Sequence, residues 1–399
     1  MPTSRWRLTH LSEPSLNPRL MSAPLSATGQ RDHALARAYP PGFREEGEAT
    51  LPASEREGPA PSGQADRNKR VAIISDAWRP QVNGVVRTLS AICDGMTAAG
   101  YEPIVFGPDR YRTIPCPGYS TIRLAIGAGA ALGRHLSEFA PQAVHIATEG
   151  PLGLASRAFC LRHGWPFTTA YHTQFPQYLQ ARCGMPLAWS YAALRRFHAP
   201  SKGVMVATET MRRELAGRGF ERLVAWTRGV DTGLFRPGCA PAVDLPRPVF
   251  LFIGRIAVEK NLPAFLDLDL PGSKLVVGDG PSLPMMKRRY PGVHFAGAQF
   301  GEALVGHYAA ADVMVMPSRT ETFGLVMLEA LACGVPVAAF PAAAPRDVIG
   351  DSGAGILDED LGRAATKALS IPRERCLAHA SRFSWQASID QFVGHLAWL

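Results

Sequence analysis

A chain of 399 residues exceeds what one hydrophobic core usually serves, so two domains are the starting expectation. Apolar residues make up 46%, as in globular proteins, and no uninterrupted apolar run reaches the length of about eighteen residues that a membrane-spanning helix needs. The net charge of +8 suits a protein that handles anions. Zinc-ligand spacing, a recognition helix and an RNA-binding aromatic motif are all missing, which sets nucleic acid aside as a partner.

In chain order, residues 1–69 are rich in Pro, Ser, Gly, Glu and Arg without periodicity, and are expected to be a disordered extension. They lack the apolar core of a secretion signal. The seven cysteines are scattered, with no C-x-x-C pair, and read as reduced thiols of a cytoplasmic protein. Order is expected from residues 70–76, a short apolar strand of the parallel-sheet kind. Asn83 and Gly84 follow in a loop entering a helix, and the turn lets a backbone come close to a phosphate. No G-x-G-x-x-G is present there, so the dinucleotide fingerprint is absent.

Strands at 103–107, 143–147, 167–172, 204–208 and 224–228 alternate with helices, which predicts a doubly wound parallel sheet. Ligands bind such sheets beyond the carboxyl ends of the strands. His172, with Tyr171 beside it, falls at one such end, and Glu149 at another; the first suits a ligand contact, the other two an acceptor pocket. Residues 186–198 read as a helix with Leu187, Tyr191 and Leu194 on one face. The Pro-rich stretch 237–248 reads as a linker between domains 70–236 and 249–382, and 383–399 as a terminal helix.

The second domain opens on an apolar strand, 249–253, followed by Arg255 and Lys260, a fork donor and a point charge suited to phosphate. A strand ending at Gly278-Asp279 follows, with further strands at 293–295, 313–316 and 337–340. After 313–316 comes Ser-Arg-Thr-Glu-Thr-Phe-Gly-Leu-Val-Met-Leu-Glu-Ala, residues 318–330. A helix is expected to begin near Phe323 and Gly324, and its free amides, from Thr322 to Leu325, form a seat for a diphosphate. Glu321 and Glu329 bracket that seat, and carboxylates accept hydrogen bonds from sugar hydroxyls. Read by their spacing alone, the two glutamates also fit an ordinary strand–loop–helix unit.

The whole block 318–330, the Ala-Cys-Gly-Val-Pro behind it, Gly-Arg-x-x-x-Glu-Lys-Asn at 254–261 and Gly-Val-Asp…Phe-Arg-Pro at 229–237 resemble the family-4 retaining glycosyltransferases. The resemblance implies an α/β GT-B fold, two Rossmann-like doubly wound parallel-sheet domains facing a cleft, with the terminal helix returning to the first. It also implies roles. Arg255 and Lys260 hold the donor diphosphate, with Glu259 steadying Lys260, and Asn83 and Gly84 meet it from across the cleft. Gly278 and Asp279 lie under the base, Glu329 holds the ribose, Glu321 orients the hexose, and His172 lies near the sugar and the reacting bond. No cofactor and no metal are expected. The D-x-D of Asp267 and Asp269 sits in what reads as an apolar helix.

The blocks Pro-Gln-Val-Asn-Gly-Val-Val-Arg-Thr and Ile-Ala-Thr-Glu-Gly-Pro look most like bacterial GDP-mannose-dependent α-mannosyltransferases. They also resemble enzymes that carry sugar from UDP donors to diacylglycerol, and a catalytically silent scaffold is the rival from another class. One departure is 340–347, where many members have Gly-Gly-x-Pro-Glu. The expected partners are a nucleotide-sugar donor and a lipid or glycolipid acceptor. Trp189, Tyr191, Leu194 and Phe197, interleaved with Arg195 and Arg196, suggest a helix resting on the inner, anionic face of a membrane.

Overall fold

A computed structural model describes residues 69–116 and 119–399, so the extension expected over 1–69 lies, but for Lys69, outside the described residues. Two parallel sheets of six strands each carry the structure. The first orders its strands β2-β1-β5-β6-β7-β8, where β1 is Arg70–Ile74, β2 Glu102–Phe106, β5 Ala143–Ile146, β6 Thr168–Tyr171, β7 Val204–Val206 and β8 Leu223–Ala225. The second runs β11-β10-β9-β12-β13-β14, with β9 at Val249–Ile253, β10 at Ser273–Val277, β11 at His294–Gly297, β12 at Val313–Met316, β13 at Val337–Ala339 and β14 at Gly355–Leu357. Central strands are buried along their whole length, as in β5, β9 and β12. Helices cover both faces of such a sheet, so its strands read as unbroken apolar runs.

Two strand features escape sequence reading. An antiparallel hairpin, β3 (Thr113–Cys116) with β4 (Tyr119–Ala125), lies outside both sheets, and its Pro115 interrupts any strand-like pattern. The edge strand β14 has only three residues and one of them is glycine. Nor does the stretch containing Asp267 and Asp269 form the helix expected of it. That helix spans only Pro263–Leu266, and Asp267 caps its end and bonds Arg289 and Tyr290 on the surface.

In each sheet the strand order reverses beside the first strand, between β1 and β5 and between β9 and β12. Crevices at such reversals, outside the carboxyl ends, are where doubly wound sheets bind ligands. The segments leaving those four strands begin at residues 75, 147, 254 and 317. They include Asn83, Glu149, Arg255 and Glu321.

The last helix, Trp385–His395, packs on the first sheet, with Ile389 and Phe392 joining Leu89, Ile92, Met96 and Trp226 in one core cluster. Gly95 makes this close approach feasible, because a Cβ there would lie 2.0 Å from Ile389 Cδ1.

Candidate functional site

Beyond β12 the chain turns through residues 317–324 into the helix Leu325–Ala332. Gly324 precedes it at φ 79, a left-handed conformation that glycine tolerates, and no side chain caps the first turn. The leading amides therefore keep the partial positive charge of a helix N-terminus.

Beside this turn lies the loop after β9. Its path is set by backbone packing against the turn after β10: a Cβ on Gly278 would fall 1.9 Å from Gly254 O, and one on Gly280 2.4 Å from Ile256 O. Ile256 N donates to Asp279 O at 2.9 Å, and the Asp279 carboxylate accepts from Gly280 N at 2.7 Å. Asn261 donates to Pro317 O at 3.2 Å, while Ser318 and Thr320 hydroxyls donate to Glu259 O at 3.4 and 3.3 Å. These ties bring Lys260 onto Glu321, and its ammonium bonds Oε1 of that carboxylate. Both side chains are mostly covered, 18% and 14% exposed. Burial alone would lower the ammonium pKa, but Glu321 more than offsets it and Lys260 is held above its ordinary value. Glu321 is thus the direct partner that steadies Lys260, and the expected Glu259 adds its charge to the same effect.

Glu329 is 3% exposed and fully engaged. Tyr308 donates to its Oε2 at 2.9 Å, and Arg87, from the first domain, pairs with Oε1 at 2.5 Å. Burial and then Glu329 push the Tyr308 phenol well above its usual pKa, so it stays a donor. Phe323 turns its ring inward onto Phe383, centroids 6.3 Å apart, and contributes only backbone to the turn.

The first domain meets this half directly. Asn83 accepts from the amides of Val85 and Val86 at 3.0 Å, capping the helix Gly84–Ala98. A Cβ on Gly84 would lie 4.0 Å from Leu325 Cδ1, so the heads of two helices face one another across the cleft. Thr322 Oγ1 donates to His172 O at 2.7 Å, and Gln174 Nε2 to Glu321 O at 3.0 Å. Tyr178 sits where Lys260, Glu321, Glu259 and Arg255 all act on its phenol, whose pKa is raised first by burial. Further out, Asp347, in the segment that departs from the family pattern, accepts from Thr210 N at 2.6 Å and Thr210 Oγ1 at 2.5 Å.

His172, Glu321, Lys260, Arg255, Glu329 and the Thr322–Leu325 turn are thus brought to one seam. Two expected acceptor residues are not so placed. Tyr171 is fully buried among Tyr191, Phe220 and His198, because a residue of β6 alternates into the layer beneath the sheet. Glu149 is 6% exposed and bonds His198 Nε2 at 3.3 Å, so its carboxylate is occupied inside the domain. The helix Leu187–His198 also corrects the expected membrane face: Tyr191 and Phe197 are buried, and only Trp189, 73% exposed, projects. Arg87, Tyr308, Gln174 and Tyr178 were not singled out from the sequence. Arg87 carries one signal, its place three residues beyond Gly84 in the helix that the Asn83-Gly84 turn opens.

Known proteins resemble this chain over most of its length. The family model "Glycosyltransferase Family 4" matches residues 82–234, and "Glycosyl transferases group 1" matches 247–371. A GDP-mannose-dependent alpha-mannosyltransferase of Mycobacterium tuberculosis is 30% identical over 365 residues, covering 82% of this chain and 96% of that protein. Its counterpart in Mycolicibacterium smegmatis is 28% identical over 367 residues, with the same shares. A sulfoquinovosyl transferase of Arabidopsis thaliana is 27% identical over 289 residues, 66% of this chain and 56% of that one. Among solved structures, a sucrose-phosphate synthase from Thermosynechococcus elongatus superposes with TM-score 0.64 at 20% identity, over 82% of this chain and 98% of its own. Anabaena HepE in complex with UDP and glucose follows at 0.62 and 14%, over 82% and 99%. Two facing parallel sheets, the matched halves and a relative similar along nearly its whole length lead to one conclusion: the chain belongs to the family-4 glycosyltransferases and has their GT-B fold.

Proposed function

We propose that this enzyme moves a hexose, with mannose from GDP-mannose favoured, to a lipid or glycolipid acceptor, retaining the anomeric configuration and using no metal. One observation carries the reading. The Lys260–Glu321 pair and the uncapped turn before Leu325 meet His172 from the opposite sheet, at the two strand-order reversals. The mannosyltransferase relatives support the donor. The sulfoquinovosyl transferase relative and the UDP-bound neighbour support the alternative, a UDP-sugar donor with a diacylglycerol acceptor.

In this reading the departing diphosphate lies against Arg255, Lys260 and the amides from Thr322 to Leu325, with Gly278 and Asp279 beneath the base. Negative charge grows on the leaving phosphate in the transition state, and preorganised donors stabilise it where water is excluded. Glu321 and His172 orient the sugar. Retention follows if the leaving phosphate takes the acceptor proton on the face it vacates. Holding the ribose draws on the remaining lone pairs of Glu329, whose two oxygens each already accept one bond, from Arg87 and from Tyr308.

Two side-chain cations and a helix terminus supply the neutralising charge that a metal provides in other glycosyltransferases. With excess EDTA present, calorimetry and product NMR are expected to show GDP-mannose bound in preference to UDP-glucose or UDP-glucuronate and an α-linked product. Activity that disappears in EDTA and returns with manganese or magnesium, or an inverted product, refutes the mechanism. Exclusive use of a UDP sugar refutes only the donor.

The acceptor reading rests on a narrower apolar surface than the sequence suggested. Phe175, Leu179 and Trp189 are 39%, 37% and 73% exposed on two helices that pack together, Phe175–Cys183 and Leu187–His198, and Met185, 37% exposed, lies on the turn between them. Exposed Arg195 and Arg196 lie on the second. Among the described residues no helix is long and apolar enough to cross a membrane. A peripheral contact with the inner leaflet, from the cytoplasm, is the mode this surface suits, each basic residue adding about 1 kcal/mol. The protein is expected to float with anionic liposomes, less so at high salt, and Trp189→Ala to weaken flotation roughly fivefold. Equal flotation with neutral liposomes, or none with anionic ones, points to a water-soluble acceptor.

A further inference from the structure

Arg228 is an unusual group to find where it lies. It follows β8, is only 4% exposed, and pairs with no carboxylate among the described residues. Its Nη1 donates to Trp226 O at 2.6 Å and Thr227 O at 2.9 Å, and its plane lies 3.9 Å from the Trp226 ring centroid. Its Nη2 lies 3.5 Å from His172 Nδ1. The C-terminal helix fixes this platform: Trp226 Nε1 donates to Ser388 O at 3.1 Å, Thr227 N to Gln391 Oε1 at 2.8 Å, and Ser388 Oγ to Thr227 O at 2.8 Å. A buried cation with no countercharge is costly, so a fold that keeps one in its core gives it a task.

We propose that Arg228 is the positioning residue of the active site, holding His172 as the neutral Nε2–H tautomer so that its imidazole is a permanent hydrogen-bond donor to the sugar. The role of His172 toward the sugar is that of the preceding reading; the tautomer rests on geometry alone. A guanidinium has donors only, so the ring nitrogen facing it must be the acceptor and the other nitrogen carries the hydrogen. That other nitrogen, His172 Nε2, is buried and has no partner. A buried donor left over in this way is one that a ligand can satisfy.

The surroundings of His172 agree from every side. Burial first, then Arg228 and His145, hold its imidazole well below the ordinary pKa. His145, on β5, is itself neutral: burial and then Arg228 bring it down to about 3, and its Nδ1 bonds Thr168 Oγ1 at 2.9 Å. Trp226 meets His172 edge-on at 5.4 Å, and the C-terminal helix adds uncharged Phe392 against His145 and Trp226. From the second domain come the Thr322 hydroxyl and Glu321, whose carboxylate is taken by Lys260. With the charge of Glu321 met by Lys260, burial and Arg228 decide for the neutral ring.

The test is a long-range 15N–1H correlation spectrum of the histidine-labelled full chain, with His172 assigned through His172→Gln. The expected result is the Nε2–H tautomer, without titration between about pH 5 and 8. Arg228→Met keeps an apolar cover on Trp226 but removes the charge. There His172 is expected to populate both tautomers and to titrate closer to about 6.5, while kcat falls roughly tenfold and further in acid, with KM for the donor little changed. A wild-type His172 that carries its proton on Nδ1, or titrates within that window, overturns the proposal. So does an Arg228→Met enzyme with wild-type tautomer and pH profile. If Arg228→Met fails to fold, the wild-type spectrum still decides. If the enzyme transfers no hexose, turnover shows that separately, because the tautomer is read without substrate.

Discussion

Glu321→Gln is expected to lower turnover by about two to three orders of magnitude, the range seen when one preorganised group at a reacting centre is lost. Nucleoside diphosphate affinity should change only a few-fold. The substitution keeps the shape of the side chain and removes its charge, which here has two functions. It holds the Lys260 ammonium, and in the proposed mechanism it accepts hydroxyls of the hexose. A neutral amide can still accept one hydrogen bond from Lys260, so the loop after β9 should keep its path. The pair is 14–18% exposed, and removing one charge of a mostly covered pair should cost stability by about 1–2 kcal/mol, below the range for fully buried pairs. Steady-state kinetics beside thermal unfolding separates the two effects. Wild-type turnover in a stable variant would show that this carboxylate does not act on the sugar.

Lys260→Ala should act on the other property. Charge-assisted hydrogen bonds contribute about 1.5–3 kcal/mol, so affinity for a nucleoside diphosphate is expected to drop roughly tenfold to a hundredfold. Stability should fall too, because Glu321 is left covered without its cation. Calorimetric titration of GDP into both proteins reads the first effect directly. Affinity equal to wild type would mean that the ammonium serves Glu321 alone and never reaches phosphate. The two variants therefore divide the site: one is expected to spare binding and abolish transfer, the other to weaken binding itself.

Arg87–Glu329, Gln174–Glu321, Thr322–His172 and Thr210–Asp347 join the two sheets along one seam. Of these residues, Glu329, Glu321, Thr322 and His172 are also the ones proposed to contact the donor.

Much of this molecule is legible in the order of its residues. Strands buried on both faces become short apolar runs, so β1, β9 and β12 can be read directly. Loops that leave such strands carry their chemistry in contiguous blocks, which is why Arg255, Lys260, Glu321 and Glu329 stand out together. What could not be read depends on pairs far apart in the chain. Arg87 reaches Glu329 and Gln174 reaches the Glu321 carbonyl only because the two domains close on each other, and Arg228 reaches His172 because β6, β7 and β8 lie side by side in the first sheet. Burial is the other unread quantity: Tyr171 and Tyr191 look alike in sequence to residues that would face a ligand, yet both point into the layer beneath the first sheet. Periodicity and local motif are properties of neighbours along the chain, and they specify strands, turns and the chemistry at strand ends. Which carboxylate receives which cation, and which histidine nitrogen keeps its hydrogen, is decided by packing between segments, and only the tertiary structure contains that.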